Sequence, residues 1–173
     1  MVEITIPNSV TALGEDTFYN CTQLKTVVIP NKVTAIEKNV FYGCSSLTNI
    51  VIPNGVTSIG EWAFHYCETL TIIPIPNTVN TIGQRAFSYC TALKEIDIPS
   101  GVSAINSETF YNCNNLEVIN CKPINPPTLN VSALKTGLPS SLTINVPQSS
   151  LTTYKNATNW KSYADKMVGV TFE

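Results

Sequence analysis

Ile29-Pro30-Asn31-Lys32-Val33-Thr34-Ala35-Ile36, followed by Phe41 and Cys44, is the stretch that decides how this chain folds. The same pattern returns at intervals of 23 residues. Ile6-Pro7, Ile29-Pro30, Ile52-Pro53, Ile75-Pro76 and Ile98-Pro99 fall in phase, followed by Val10, Val33, Val56, Val79 and Val102. Leu13, Ile36, Ile59, Ile82 and Ile105 come next, then Phe18, Phe41, Phe64, Phe87 and Phe110, then Cys21, Cys44, Cys67, Cys90 and Cys113. Leu24, Leu47, Leu70, Leu93 and Leu116 complete the unit, each followed three residues later by Val27, Ile50, Ile73, Ile96 or Ile119. A fixed period in this range is the signature of a solenoid of stacked coils.

Between the constant columns the residues vary freely: Ser9, Lys32, Gly55, Thr78 and Gly101 share a position and little else. Constant apolar columns beside variable polar ones describe an inward core and a solvated outside. One coil alone is too short to offset the entropy of ordering it, and stacking buries both of its faces. Each coil is expected to carry a strand of the Val27-Val28-Ile29 type, ended by Pro30 and its equivalents because proline cannot donate to a ladder. Asn31 turns the chain, Gly14, Gly60 and Gly83 are expected to relieve the next bend, and Glu61 to Cys67 reads as a short helical turn. Pro74 lies in mid-strand between Ile73 and Ile75, which predicts one missing sheet hydrogen bond.

The run Cys-x-x-Leu-x-x-Ile-x-Ile-Pro-x-x-Val-x-x-Ile-x-x-x-x-Phe-x-x-Cys, present from Cys21 through Cys113, resembles the bacterial leucine-rich repeats of BspA-like cell-surface proteins. The resemblance implies an α/β repeat solenoid: a right-handed leucine-rich-repeat fold with a parallel β-sheet on the concave side, short helical turns on the convex side and a C-terminal helical cap. It also implies surface display, adhesion and protein binding rather than catalysis, and an extracellular or cell-surface location. Val146 to Trp160 is similar to the terminal capping element of such repeat proteins.

Two regions follow from this pattern: residues 1–121, a solenoid of about five repeats, and residues 122–173, a divergent last repeat with the cap. Counting on from Ile96 and Ile98 gives Ile119 and Cys121, then Leu142 and Ile144, as a sixth and seventh strand. Lys122 to Ser141, rich in proline, is an irregular loop between them. Leu151, Tyr154, Ala157 or Thr158, Trp160 and Tyr163 recur near helical spacing, with Ser149 or Ser150 as cap and Asn156 to Asn159 as a kink. Val168 to Phe172 alternates as a last strand. At the other end Met1 to Ile6 already reads as a strand, with no polar cap and no signal peptide before it, so the chain is expected to be a piece of a longer protein.

Composition narrows function. A formal charge of −2 over 173 residues points to neither nucleic acid nor an anionic membrane, and no apolar run reaches membrane-spanning length. The six cysteines lack the Cys-x-x-Cys spacing of a metal centre, and their column reads as reduced, buried thiols. His65, the single histidine, shares its column with Tyr19, Tyr42, Ser88 and Tyr111, and so reads as a surface member of a convex stripe. Glu95 and Asp97 share a strand face beside Lys94 and read as a solvated pair rather than as catalytic carboxylates. No phosphate loop, nucleophile elbow or zinc-binding helix motif is present. The chain is therefore read as no enzyme, with no cofactor and no metal.

Binding is the reading that remains. The outward strand residues Thr26, Val28, Asn49, Val51, Ile72, Pro74, Glu95, Asp97, Val118 and Asn120 would line the concave sheet, and half of them are apolar. They are the candidate partner-binding residues, for a host or surface protein. The alternatives are a carbohydrate-binding module using the tyrosines Tyr19, Tyr42, Tyr66, Tyr89 and Tyr111, or a passive scaffold segment of a larger protein. Three Asn-x-Ser/Thr sequons, at Asn20, Asn130 and Asn156, matter only where the source glycosylates its proteins.

Overall fold

Twelve short strands and very little helix carry the chain around the solenoid in the computed structural model, which describes residues 2–172. In chain order they are β1 (Val2–Thr5), β2 (Leu24–Val28), β3 (Ala35–Ile36), β4 (Asn49–Val51), β5 (Ser58–Ile59) and β6 (Thr81–Ile82). There follow β7 (Glu95–Ile98), β8 (Ala104–Ile105), β9 (Val118–Cys121), β10 (Thr128–Leu129), β11 (Thr143–Pro147) and β12 (Met167–Val170). Every pairing is parallel, as a chain winding in one direction requires. Met1, expected to open the first strand, lies outside the described residues.

Each coil has three flanks. The main flank holds β1-β2-β4 and then β7-β9-β11-β12. A narrower ladder joins β3-β5-β6, and β8-β10 continues on later coils. On the third flank, Glu61 to Cys67 and its equivalents form successive tight turns rather than helix. Here two residues of each coil, four apart, are left-handed: Asp16, Asn39, Trp62, Arg85 and Glu108 in one column, Asn20, Gly43, Tyr66, Tyr89 and Asn112 in another. For residues with a Cβ this conformation costs about 1 kcal/mol or more each. The cost is met because those amides point along the solenoid axis. Trp62 N–H donates to Gln84 O at 3.0 Å, and Tyr66 N–H to Ser88 O at 3.1 Å.

The core is a set of columns. Phe18, Phe41, Phe64, Phe87 and Phe110 stack with neighbouring centroids 5.3–5.8 Å apart and ring planes within 12°. The cysteines do more than fill space. Cys44, Cys67, Cys90 and Cys113 each donate their thiol to the phenylalanine carbonyl one coil back, at 3.1–3.3 Å. Burial pushes the Cys44, Cys113 and Cys121 thiols up to about 12, and those of Cys67 and Cys90 well above their usual value.

Gly60 and Gly83 have a different reason from the expected bend. Neither is left-handed; the preceding coil simply lies too close for a side chain. A Cβ at Gly60 would stand 2.7 Å from Glu37 C, and one at Gly83 2.5 Å from Glu61 N. These glycines donate to Ile36 O and Ile59 O. One coil later Asn106 keeps the pattern with its side chain, its Nδ2 donating to Ile82 O at 2.7 Å.

Pro74 disrupts more than one bond. No ladder joins β4 to the coil that follows, and of the strand expected there only an isolated Ile72–Glu95 bridge survives. Ile29 N–H donates to Val51 O at 3.1 Å, whereas the amide of Ile52 has no backbone partner among the described residues. Proline's fixed φ lies far from the extended value of a parallel strand, so the distortion spreads along the segment instead of stopping at the missing donor. The main sheet is thereby divided in two.

The last repeat departs from the expected register. Ile144 pairs with Ile119, not with Cys121, so the offset grows to 25 residues. Slipping by two leaves the inward face unchanged, and Ile144 and Val146 are fully buried. The cap helix α1 (Leu151–Asn156) breaks before a 3-10 segment over Trp160–Lys166, with Asn159 left-handed between them. Neither Ser149 nor Ser150 caps it; a 3-10 turn over Gln148–Ser150 leads straight in, and Leu151 N–H bonds Gln148 O. The final strand is Met167–Val170, parallel to β11, slightly earlier than expected.

Cap side chains also close the segment from Lys122 to Ser141, which is more regular than the expected loop: β10 lies within it and pairs with β8, and its carbonyls at Ala133 and Thr136 accept from Phe110 and Asn112. Tyr154 Oη donates to Pro123 O, Trp160 Nε1 to Pro127 O and Asn159 Nδ2 to Leu129 O, each at 2.7 Å. Tyr163 Oη reaches Leu134 O at 3.1 Å, and Lys166 Nζ reaches Ser140 O at 2.7 Å.

Two outcomes test this packing. Cys21 is the only cysteine not fully buried, so a thiol reagent should titrate one fast group in the native protein and all six after unfolding. Gly83→Ala should lower stability in urea by about 1–3 kcal/mol, the scale of a forced overpacking. Gly101→Ala, whose nearest new contact is 3.5 Å, should stay within about 1 kcal/mol of the parent.

Candidate functional site

The ten outward residues fall into two columns on the main flank, alternating with the buried Val27, Ile50, Ile73, Ile96 and Ile119. Period-2 geometry makes this so: one face of each strand is core and the other is free. Thr26 pairs with Asn49 and Val28 with Val51; Glu95 pairs with Val118 and Asp97 with Asn120. Ile72 meets Glu95 through the lone bridge. The columns extend upstream through Glu3, beside Thr26, and Thr5, beside Val28, and downstream through Asn145 and Val168.

The two halves of this face differ in chemistry. On one side Val28 and Val51 in one column and Ile72 in the other are 53%, 47% and 63% exposed, a contiguous apolar patch on three successive coils. On the other a polar network covers the sheet. Asn120 Nδ2 donates to Glu95 Oε1 at 2.7 Å and to Asp97 Oδ1 at 2.8 Å, while Asn145 Nδ2 donates to Asn120 Oδ1 at 2.8 Å. Lys122 Nζ bonds Asp97 Oδ2 at 2.6 Å. The carboxylates expected to be a free solvated pair are therefore held in place. Lys122 stands in the column that holds Pro30, Pro53, Pro76 and Pro99 earlier, at the start of the segment expected to be an irregular loop.

Where the apolar and polar halves meet, the lapse of the ladder at Pro74 opens a cleft of about 520 Å³. Ile72, Pro74, Ile75 and Pro76 wall it on one side, and Glu95, Asp97 and Lys122 on the other.

The turn flank is less open than expected. His65 is 8% exposed, enclosed by Tyr42, Tyr66 and Tyr89 at centroid distances of 4.9, 4.3 and 5.5 Å. Its Nδ1 is buried without a partner. Desolvation, with a smaller contribution from the positive charge of Arg85, pulls the imidazole down to about 4, against a weaker opposing pull from Glu108. Arg85 itself is engaged by Glu108 at 2.8 Å. The tyrosines largely cover one another: Tyr19 stacks on Tyr42 at 4.7 Å and Tyr66 on Tyr89 at 4.5 Å.

Among the described residues no group of three or more His, Cys, Asp or Glu side chains is placed to hold a metal ion. No helix among them is long and apolar enough to cross a membrane.

A family model for the BspA type leucine rich repeat region matches residues 1–117 in six copies. No protein with a curated description matches the chain. Among solved structures it is similar to the T. pallidum leucine rich repeat protein, at 29% identity and a TM-score of 0.75, over 83% of this chain and 68% of that one. A leucine-rich repeat protein from Bacteroides ovatus is also 29% identical, with a TM-score of 0.71 over 83% of this chain and 44% of that one. The pneumococcal vaccine antigen PcpA shares the fold at 15% identity, with a TM-score of 0.70 over 96% of this chain and 39% of that one. The chain thus spans about two thirds of the first of these proteins and less than half of the other two.

The buried imidazole has a measurable consequence. Because His65 is held neutral, its contribution to stability is complete above pH 6.5 and is lost as pH falls toward about 4. The loss should approach about 1.4 kcal/mol per pH unit in that window, read from urea midpoints. His65→Gln should flatten the profile between those limits.

Proposed function

The chain belongs to the BspA-type leucine-rich repeat family, and from that premise we propose that it is a non-enzymatic protein-binding or adhesion segment of a cell-surface protein, engaging a host or surface partner through its sheet face. The observation that carries this reading is the patch of exposed Val28 and Val51 in one column and Ile72 beside it in the other, on three consecutive coils next to an anchored polar network. An apolar centre with a polar border is the anatomy of a recognition surface. The backbone beneath it is held on the other two flanks, so little order need be gained on binding. The carbohydrate reading has less support, because sugar stacking needs free ring faces and the tyrosines turn theirs on one another.

The test is binding of purified extracellular-matrix proteins to the immobilised chain. Val51→Asp and Ile72→Asp should each weaken a bound matrix protein by about tenfold or more, the loss expected at the centre of an interface. Their thermal midpoints should stay close to the parent, since both side chains face solvent. A matrix protein that binds both variants as tightly as the parent places recognition off the sheet.

A further inference from the structure

The cleft beside Pro74 has the walls and the charge of a pocket for one particular kind of side chain. Ile72, 63% exposed, and Pro74 form an apolar approach to it. At its far side stand two carboxylates in unequal states. Asp97 is satisfied on both oxygens, by Asn120 at 2.8 Å and by Lys122 at 2.6 Å, and its charge is matched. Glu95 is held through Oε1 by Asn120 at 2.7 Å but pairs with no cation among the described residues. The cleft therefore carries one uncompensated negative charge at the end of an apolar path, oriented by an amide that is itself fixed by Asn145. A lysine or arginine suits such a place, since its aliphatic stem covers apolar wall while its head reaches an acceptor. An acidic side chain does not, because the one nearby cation, Lys122, is already committed to Asp97.

We infer that this cleft receives a basic side chain, lysine or arginine, carried on an extended partner segment whose neighbouring apolar residues lie over Val51 and Val28. The inference rests on the sheet face being the recognition surface and adds the chemistry of what it recognises. The apolar partners follow from the column of Pro74: by the 23-residue period Val51 and Val28 stand in it one and two coils upstream, with Ile72 two residues along the strand beside it, and successive coils stand about 4.8 Å apart. A strand laid along the solenoid axis over that column would pass over Pro74, Val51 and Val28, with Ile72 at its edge.

The probe is a blocked hexapeptide alternating valine and lysine, titrated against the chain while the methyl resonances of Ile72 and Val51 are followed. Saturable shifts at both are expected. Glu95→Gln, which keeps an oxygen for Asn120, should weaken binding about fivefold, the upper scale of an exposed ion pair. A valine–glutamine peptide should lose a similar factor against the parent, and a valine–glutamate peptide should not bind. The inference is overturned if no saturable shift occurs up to millimolar peptide, or if the lysine and glutamine peptides bind alike. A matrix protein that is lost on Ile72→Asp but indifferent to Glu95→Gln overturns the basic-residue assignment and leaves the sheet as the recognition face. Indifference to both variants removes the sheet as well.

Discussion

Each coil of this protein closes its backbone hydrogen bonds on the coils beside it, at one repeated register, and nearly every other feature answers to that requirement. On the turn flank, alternate amides must point along the axis rather than around the coil, and the left-handed conformations at Asp16, Asn39, Trp62 and Arg85 are how they do so. On the narrow flank the coils approach so closely that Gly60 and Gly83 have no room for a Cβ. In the interior, the phenylalanine carbonyls accept from the cysteine thiols of the following coil. An unmet acceptor in such a place would carry the full cost of its lost hydration.

How much of this could be read beforehand depends on whether a requirement leaves a repeated mark. The valine, isoleucine, phenylalanine and cysteine columns were legible because burial admits few side chains and the same constraint recurs in every coil. The thiol's second task was not: a small buried residue and a small buried donor look alike in a column of cysteines. The two-residue slip at Ile144 was hidden by the period of the strand itself, since a shift by two leaves the same residues facing inward. His65 was misplaced because its column holds tyrosine and serine elsewhere, and only the rings of three coils together enclose it. Of the sheet face, the ten outward positions followed from alternation alone. The tie between Glu95, Asn120 and Asp97 depends on side-chain reach across strands, and Lys122 is conspicuous only once its column is known to be proline.

The same division of labour explains why the outward face can differ so much from one coil to the next. Hydrogen bonding and packing are completed by backbone and inward side chains, so an exposed valine, an isoleucine or a carboxylate costs the fold little in that position. Pro74 is the exception, since it acts through the backbone. Its coil is still held through the pairing of Ile59 with Ile82 and the bond from Trp62 to Gln84, which is why the solenoid tolerates a lapse on one flank. The lapse falls where the apolar and polar halves of the surface meet.

The closing of the loop at Pro123, Pro127 and Leu129 by Tyr154, Trp160 and Asn159 binds the end of the rod to one particular stretch of chain. The two pieces are matched as a lock is to its key, and neither fits an ordinary coil. Whole coils can therefore be added or removed upstream of Pro123 without disturbing this match. The reach of the rod becomes an adjustable trait, while the fit of loop and cap is inherited intact.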